Sequence, residues 1–205
     1  MIKVVVFDLW ETLVYKRYKK GGIRWMWKET GKGISYRRFL KTFEKNFQLS
    51  KKFSFEKSFK GFFKELKIPY DDNLIKKFIE QRKKYELSYV FYKDLFPLLT
   101  KLKKKGYKIG VLSNTDPFIG ENVKKAQLSK YVDKFFFSYE IGSIKPDLKN
   151  FRVVLKYFKA KPSEAIMIGN TYLDDVVPAR KLGMKAIHFK DVKQTKKKLR
   201  NMNVL

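Results

Sequence analysis

The segment Ile2–Leu9, IKVVVFDL, is an almost unbroken β-branched apolar run that reaches an acid near its end. A strand with one wet face alternates polar and apolar residues. This one leaves no position for water, so it is expected to be buried on both faces, as in a parallel sheet covered by helices. Parallel neighbours need crossover connections, which commits the rest of the chain to alternating strands and helices. Open sheets of this kind bind ligands at the carboxyl ends of their strands, and Asp8 falls there.

The required alternation is present, but only after a long interruption. From about Val14 to Tyr89 the pattern is helical. Phe39, Leu40, Phe43 and Phe47 share one face of a 3.6-residue period, as do Phe55, Phe59, Phe62, Phe63 and Leu66, with Pro69 ending that segment. Leu74, Ile75, Phe78 and Ile79 mark a further helix, capped by Asp71 or Asp72. Gly21–Gly22 and Gly31–Lys32–Gly33 punctuate the earlier part. Strands are then predicted at Tyr107–Leu112, Lys134–Ser138, Ala165–Ile168 and Lys185–Phe189. Helices are predicted at Leu95–Lys105, Pro117–Leu128, around Phe151–Phe158, and from about Asp174 to Leu182. The expected architecture is α/β: a three-layer, Rossmann-like core with a central parallel sheet, formed by residues 1–13 and 90–205, and a helical cap inserted at 14–89. The tail Asp191–Leu205 reads either as a basic amphipathic helix or as a frayed end.

Composition narrows the chemistry. The chain of 205 residues has no cysteine and one histidine, His188. Disulfides, thiolate metal sites, a cysteine nucleophile and multi-histidine centres are therefore excluded. Lys and Arg number 48 against 20 acids, a formal charge of +28, which attracts anions, including nucleic acid, anionic membranes and phosphorylated metabolites; the expected partner is a small anionic substrate. Most of that charge is dispersed as lysine on solvated helix faces. A nucleic-acid surface, with Trp25 and Trp27 stacking on bases beside their basic neighbours, is the lesser reading. No apolar run approaches the ~20 residues of a membrane helix. Met1–Asp8 reads as a strand and not a secretory leader, so the expected location is cytoplasmic. The expected assembly is a monomer or a homodimer.

Several polar groups fall just after predicted strands: Asp8, Ser113 with Asn114, the loop holding Lys145, and Asn170–Asp175. Parallel strands bring these ends into one crevice. A carboxylate kept ionised by a lysine can act as a nucleophile. Ser113 and backbone N–H groups can hold the oxygens of an anion, and Asp174 and Asp175 can hold Mg²⁺, a hard ion that prefers oxygen. Each group also has an ordinary reading as a turn or helix cap.

In this order the motifs resemble those of the haloacid dehalogenase-like hydrolase superfamily. The first motif stands as Asp8-Leu9-Trp10-Glu11-Thr12-Leu13, the second as Leu112-Ser113-Asn114, and the third as Lys145-Pro146. The fourth reads Gly169-Asn170-Thr171-Tyr172-Leu173-Asp174-Asp175. The resemblance implies that Asp8 attacks the substrate and forms a covalent aspartyl intermediate. It assigns Thr12, Ser113 and Asn114 to orienting the transferred group, and Lys145 to stabilising Asp8 and the anion. In a phosphatase, Asp8, the Trp10 backbone carbonyl, Asn170, Asp174 and Asp175 would coordinate or orient Mg²⁺. A 2-haloacid dehalogenase would need no metal. Trp10, Arg24, Asn170 and Tyr172 are candidate pocket residues, with Arg37 and Arg38 as alternatives to Arg24.

Two departures from the family pattern matter. Trp10 replaces the usual second Asp, so no carboxyl there protonates a leaving alkoxide, help worth ~10²–10⁴ in rate. Asn170 replaces a metal-binding Asp and removes one negative charge. Trp10 points toward the dehalogenase branch, whereas the paired acids Asp174–Asp175 resemble the phosphatase form. A catalytically weak basic binding protein is the remaining alternative.

Overall fold

A computed structural model describes residues 1–18, 22–49, 51–85 and 87–205; Gly21, expected to punctuate the helical segment, lies outside them. The first strand, β1 (Val4–Phe7), leads through a tight turn to β2 (Val14–Lys16). Four helices follow: α1 (Ile23–Thr30), α2 (Tyr36–Phe47), α3 (Phe55–Leu66) and α4 (Asp72–Tyr85). The chain then enters β3 (Tyr89–Phe91), which pairs antiparallel with β2. The remainder alternates: α5 (Leu95–Lys104), β4 (Lys108–Ser113), α6 (Pro117–Lys125), β5 (Lys134–Phe137), α7 (Ser138–Ile141), α8 (Leu148–Tyr157), β6 (Ala165–Gly169), α9 (Val177–Lys181), β7 (Lys185–His188) and α10 (Val192–Asn201).

The main sheet has five parallel strands in the order β5-β4-β1-β6-β7. Its chain moves outward from β1 to β5 and then crosses to β6 on the other flank of β1. This reversal opens a crevice at the carboxyl end of β1. Phe7 is in register with Val111 of β4 and Ile168 of β6, so Asp8 emerges between the ends of both neighbours.

Both faces of the sheet are dry, as the first strand demands. Val5 and Phe7 pack with Leu98, Leu99, Ile119 and Leu199 on one side. Val4 and Val6 pack with Phe151, Val154, Val176 and Ala179 on the other. Each large apolar side chain buried this way contributes roughly 1.5–3 kcal/mol. The inserted helices have their own aromatic core, with Phe43 stacked on Phe47 at 4.2 Å and Phe39 edge-on to Phe62 at 4.8 Å. Ser35, Ser54 and Asp71 cap α2, α3 and α4.

The structure departs from the sequence reading at several places. The β2–β3 ribbon and α1 were not expected, because three-residue strands carry too little periodicity to be read. Leu40 turns off the Phe39–Phe43–Phe47 stripe, is half-buried and lines a cavity. The helix expected over Pro117–Leu128 stops at Lys125 and gives way to a 3₁₀ turn at Gln127–Lys130. The segment expected as one helix from Asp174 begins as a π-helical turn, Tyr172–Val176, before α9. The tail is a packed helix, with Val192, Thr195 and Leu199 buried and Asp191 as its cap. Among the described residues no helix is long and apolar enough to cross a membrane.

Candidate active site

Asp8 continues the β1 ladder by donating its backbone N–H to the Ile168 carbonyl at 2.8 Å, which aims its side chain into the crevice. The carboxylate is buried, and Oδ1 accepts from Lys145 Nζ at 2.6 Å. The same ammonium donates to Asp175 Oδ1 at 2.6 Å. Thr12 Oγ1 donates to Asp8 Oδ2 at 3.3 Å. Burial pushes the Asp8 carboxyl up; Lys145 opposes that shift and Asp175 adds to it, leaving the group at about 6. Burial alone would lower the Lys145 ammonium, but the charges of Asp175 and Asp8 outweigh it and hold the group above the usual lysine range.

The lysine loop is fixed from two sides. Asn114, at the end of β4, accepts from the Lys145 backbone N–H at 2.7 Å and returns its own Nδ2 to the Lys145 carbonyl at 3.2 Å. On the other side, Asp175 is anchored by the Thr171 N–H, which donates to Oδ2 at 3.0 Å. Gly169 makes this arrangement possible, because a Cβ there would collide with the Asp175 carboxylate.

Above this pair lies a cavity of about 870 Å³. Asp8, Asn114, Lys145, Asn170, Thr171 and Asp174 form its floor, and Trp10 and Arg24 belong to its wall. The Arg24 guanidinium lies 4.7 Å from the Tyr36 ring centroid. Arg37 and Arg38 are exposed and do not line it.

Three expected site residues are placed otherwise. Asp175 has both oxygens engaged by Lys145 and Thr171 and does not line the cavity, so it positions the lysine and is not a ligand facing the crevice. Ser113 is buried and is not among the residues lining the cavity; its hydroxyl donates to the Asn114 carbonyl at 3.5 Å. Tyr172 is 48% exposed beside His188, away from the cavity. The neighbours of Asp175 and Tyr172 in a π-helical turn point in directions that a regular helical period does not give.

Sequence reasoning missed the contribution of α2. Its buried Glu44 accepts from Asn114 Nδ2 at 3.2 Å and from Lys41 Nζ at 2.8 Å. Lys41 Nζ also donates to the Lys145 carbonyl at 3.4 Å and stands 3.8 Å from Asp174 Oδ2. The available signal was an acid, Glu44, set between Phe43 and Phe47 on an otherwise basic helix. Arg82 of α4 forms a second link to the core, a pair with Asp116 at 2.6 Å in which each side chain is 1% exposed. Nothing in the local pattern distinguishes that arginine from the lysines around it.

A family model described as haloacid dehalogenase-like hydrolase matches residues 2–183. A glyceraldehyde 3-phosphate phosphatase of Pyrococcus furiosus is 36% identical over 93 residues, covering 45% of this chain and 39% of that protein. A phosphoserine phosphatase of Thermus thermophilus is 30% identical over 115 residues, covering 56% and 45% respectively. The chain thus spans less than half the length of the curated relatives it matches. A solved haloacid dehalogenase-family enzyme of Bacteroides thetaiotaomicron, in complex with magnesium and inorganic phosphate, superposes with a TM-score of 0.66 at 20% identity. That match covers 95% of this chain and 99% of the other, and the likeness is one of fold.

Proposed function

The chain belongs to the haloacid dehalogenase-like hydrolases, and from that premise we propose that it is a phosphatase of a small phosphorylated metabolite, with Asp8 as nucleophile. The observation that carries this reading is the Asp8–Lys145 pair on the floor of a cavity that also takes the side chains of Asp174 and Asn170. That floor is rich in oxygen and suits a phosphate with a hard cation, whereas a halide needs an apolar cradle. The phosphatases among the curated relatives support the same choice.

In the proposed reaction Asp8 attacks phosphorus while Lys145 keeps it ionised and neutralises charge on the phosphoryl oxygens. Asn114 holds the lysine loop in place, and Thr12 orients the carboxylate. Among the described residues no cluster of three or more acidic or imidazole side chains is arranged to hold a metal. Mg²⁺ needs no such cluster, because one or two carboxylates suffice when water and substrate phosphate complete its shell. Asp8, Asp174, Asn170 and the Trp10 backbone carbonyl fit that role. When bound, the ion supplies positive charge against the phosphoryl oxygens.

One observation favours a second reading. Trp10 stands at the wall where a proton donor would serve an alkoxide, and a departing halide needs none. This keeps 2-haloacid dehalogenation as the alternative. Phosphate and halide release are to be measured on panels of phosphate esters and 2-haloacids, each with and without Mg²⁺. Mg²⁺-dependent phosphate release, abolished in Asp8→Asn, is expected. Metal-independent halide release without phosphate release would replace it with the second reading.

A further inference from the structure

The cavity is much larger than its catalytic floor. Toward the inserted helices its wall carries Trp10, Tyr15, Tyr18, Trp25 and Tyr36, interspersed with the cations Lys16, Arg24 and Lys28. Its volume, about 870 Å³, lies in the range of clefts that enclose ring-bearing ligands.

The floor adds an independent restriction. Two residues beyond the proposed nucleophile stands an indole, Trp10, which cannot protonate a leaving oxygen. An ester whose leaving oxygen must be protonated as it departs is poorly served here, whereas a phenolate departs unaided. The aromatic side chains of the wall and the want of a proton donor at Trp10 therefore select the same ester.

We infer that the cap half of the cavity receives an aromatic ring, so that the ester cleaved at Asp8 is an aryl phosphate. The inference rests on the phosphatase reading. The Asp8 carboxylate forms a bond to phosphorus as the bond to the aryl oxygen breaks, and the phenolate leaves with the electron pair. Water then attacks phosphorus, and the Asp8 carboxylate departs from the acyl phosphate without needing a proton. The water's protons end on phosphate and on the released phenolate, through solvent. Ring stacking holds the leaving group.

The test uses the full chain with Mg²⁺ and compares phenyl phosphate, glycerol phosphate, phosphoserine and adenosine 5′-monophosphate. The aryl ester is expected to exceed the alkyl esters by ~10²-fold or more in kcat/KM. Trp10→Asp is expected to narrow that ratio by raising the alkyl rates. Binding is read separately by tryptophan quenching, with phenylphosphonate expected to bind ~10-fold or more tightly than propylphosphonate. Alkyl esters or the nucleotide turned over as fast as the aryl ester would overturn the inference and leave the phosphatase reading standing. Absence of phosphate release from every ester would remove the phosphatase reading, and the aryl-ester inference with it. Phosphonates that bind equally would overturn the aromatic chamber by themselves.

Discussion

At the scale of single residues, the site is governed by where negative charge is kept and where it is given up. Asn170 offers the cavity a neutral oxygen beside two carboxylates, Asp8 and Asp174. Asn170→Asp adds a charge at the same place, so the Mg²⁺ concentration for half-maximal activity is expected to fall ~10-fold. Titration calorimetry with Mg²⁺ alone checks the same change without turnover, and unaltered affinity would remove Asn170 from the metal's surroundings. Gly169 acts through Asp175. In Gly169→Ala the methyl displaces the carboxylate that shares Lys145 with Asp8. The expected cost is about 1–3 kcal/mol in stability by thermal melting, and ~10²-fold in phosphate release because the lysine is no longer held in place. Asp8 and Lys145 were legible in the sequence because each follows a strand of a parallel sheet, whose topology brings such ends together. The different fates of adjacent Asp174 and Asp175 were not legible, since they depend on the π-helical turn.

At the scale of elements, the core strands and most core helices were readable from unbroken apolar runs and from terminators such as Gly106, which takes φ +83 after α5. What escaped was short or depended on tertiary packing. The β2–β3 ribbon has three residues a side, and the reach of Glu44 to Asn114 exists only once α2 is seated over the sheet. Asp133 shows how a loop can fasten elements together. Both its oxygens accept from Lys103 of α5 at 2.8 Å, and Oδ2 also accepts from the Ile109 N–H of β4 at 2.8 Å. Burial would raise its carboxyl, but these donors outweigh burial and hold it below the ordinary value of 3.8. A depressed carboxyl contributes stability that is fully present above the unfolded-state value and is lost as pH falls through the folded-state value. Asp133→Asn is therefore expected to lower stability by about 1–3 kcal/mol at pH 7. The gap between variant and parent should shrink as pH falls below the ordinary value of 3.8. Thermal melts across pH 2–7 check this, and a gap that stays constant with pH would show that the charge of Asp133 is not what matters.

At the scale of the whole molecule, the formal charge of +28 and the acidic floor of the cavity pull a phosphate ester in opposite senses. Lys16, Arg24 and Lys28 line the cavity above Asp8 and Asp174, so an arriving anion meets cations before it meets carboxylates. If the cations and the global field govern encounter, salt must weaken capture without touching the chemical step. The screening length falls from roughly 10 Å at 0.1 M salt to 3 Å at 1 M. Over that range KM for a dianionic phosphate ester is expected to rise ~5–10-fold while kcat stays within about twofold. A neutral chloride salt is the appropriate titrant, since sulfate would compete for the anion site. A monoanionic 2-haloacid carries half the charge, and its response should be correspondingly shallower. A KM that falls as salt rises would mean that the floor acids set the local potential, and that the surplus of lysine elsewhere has no part in bringing substrate to Asp8.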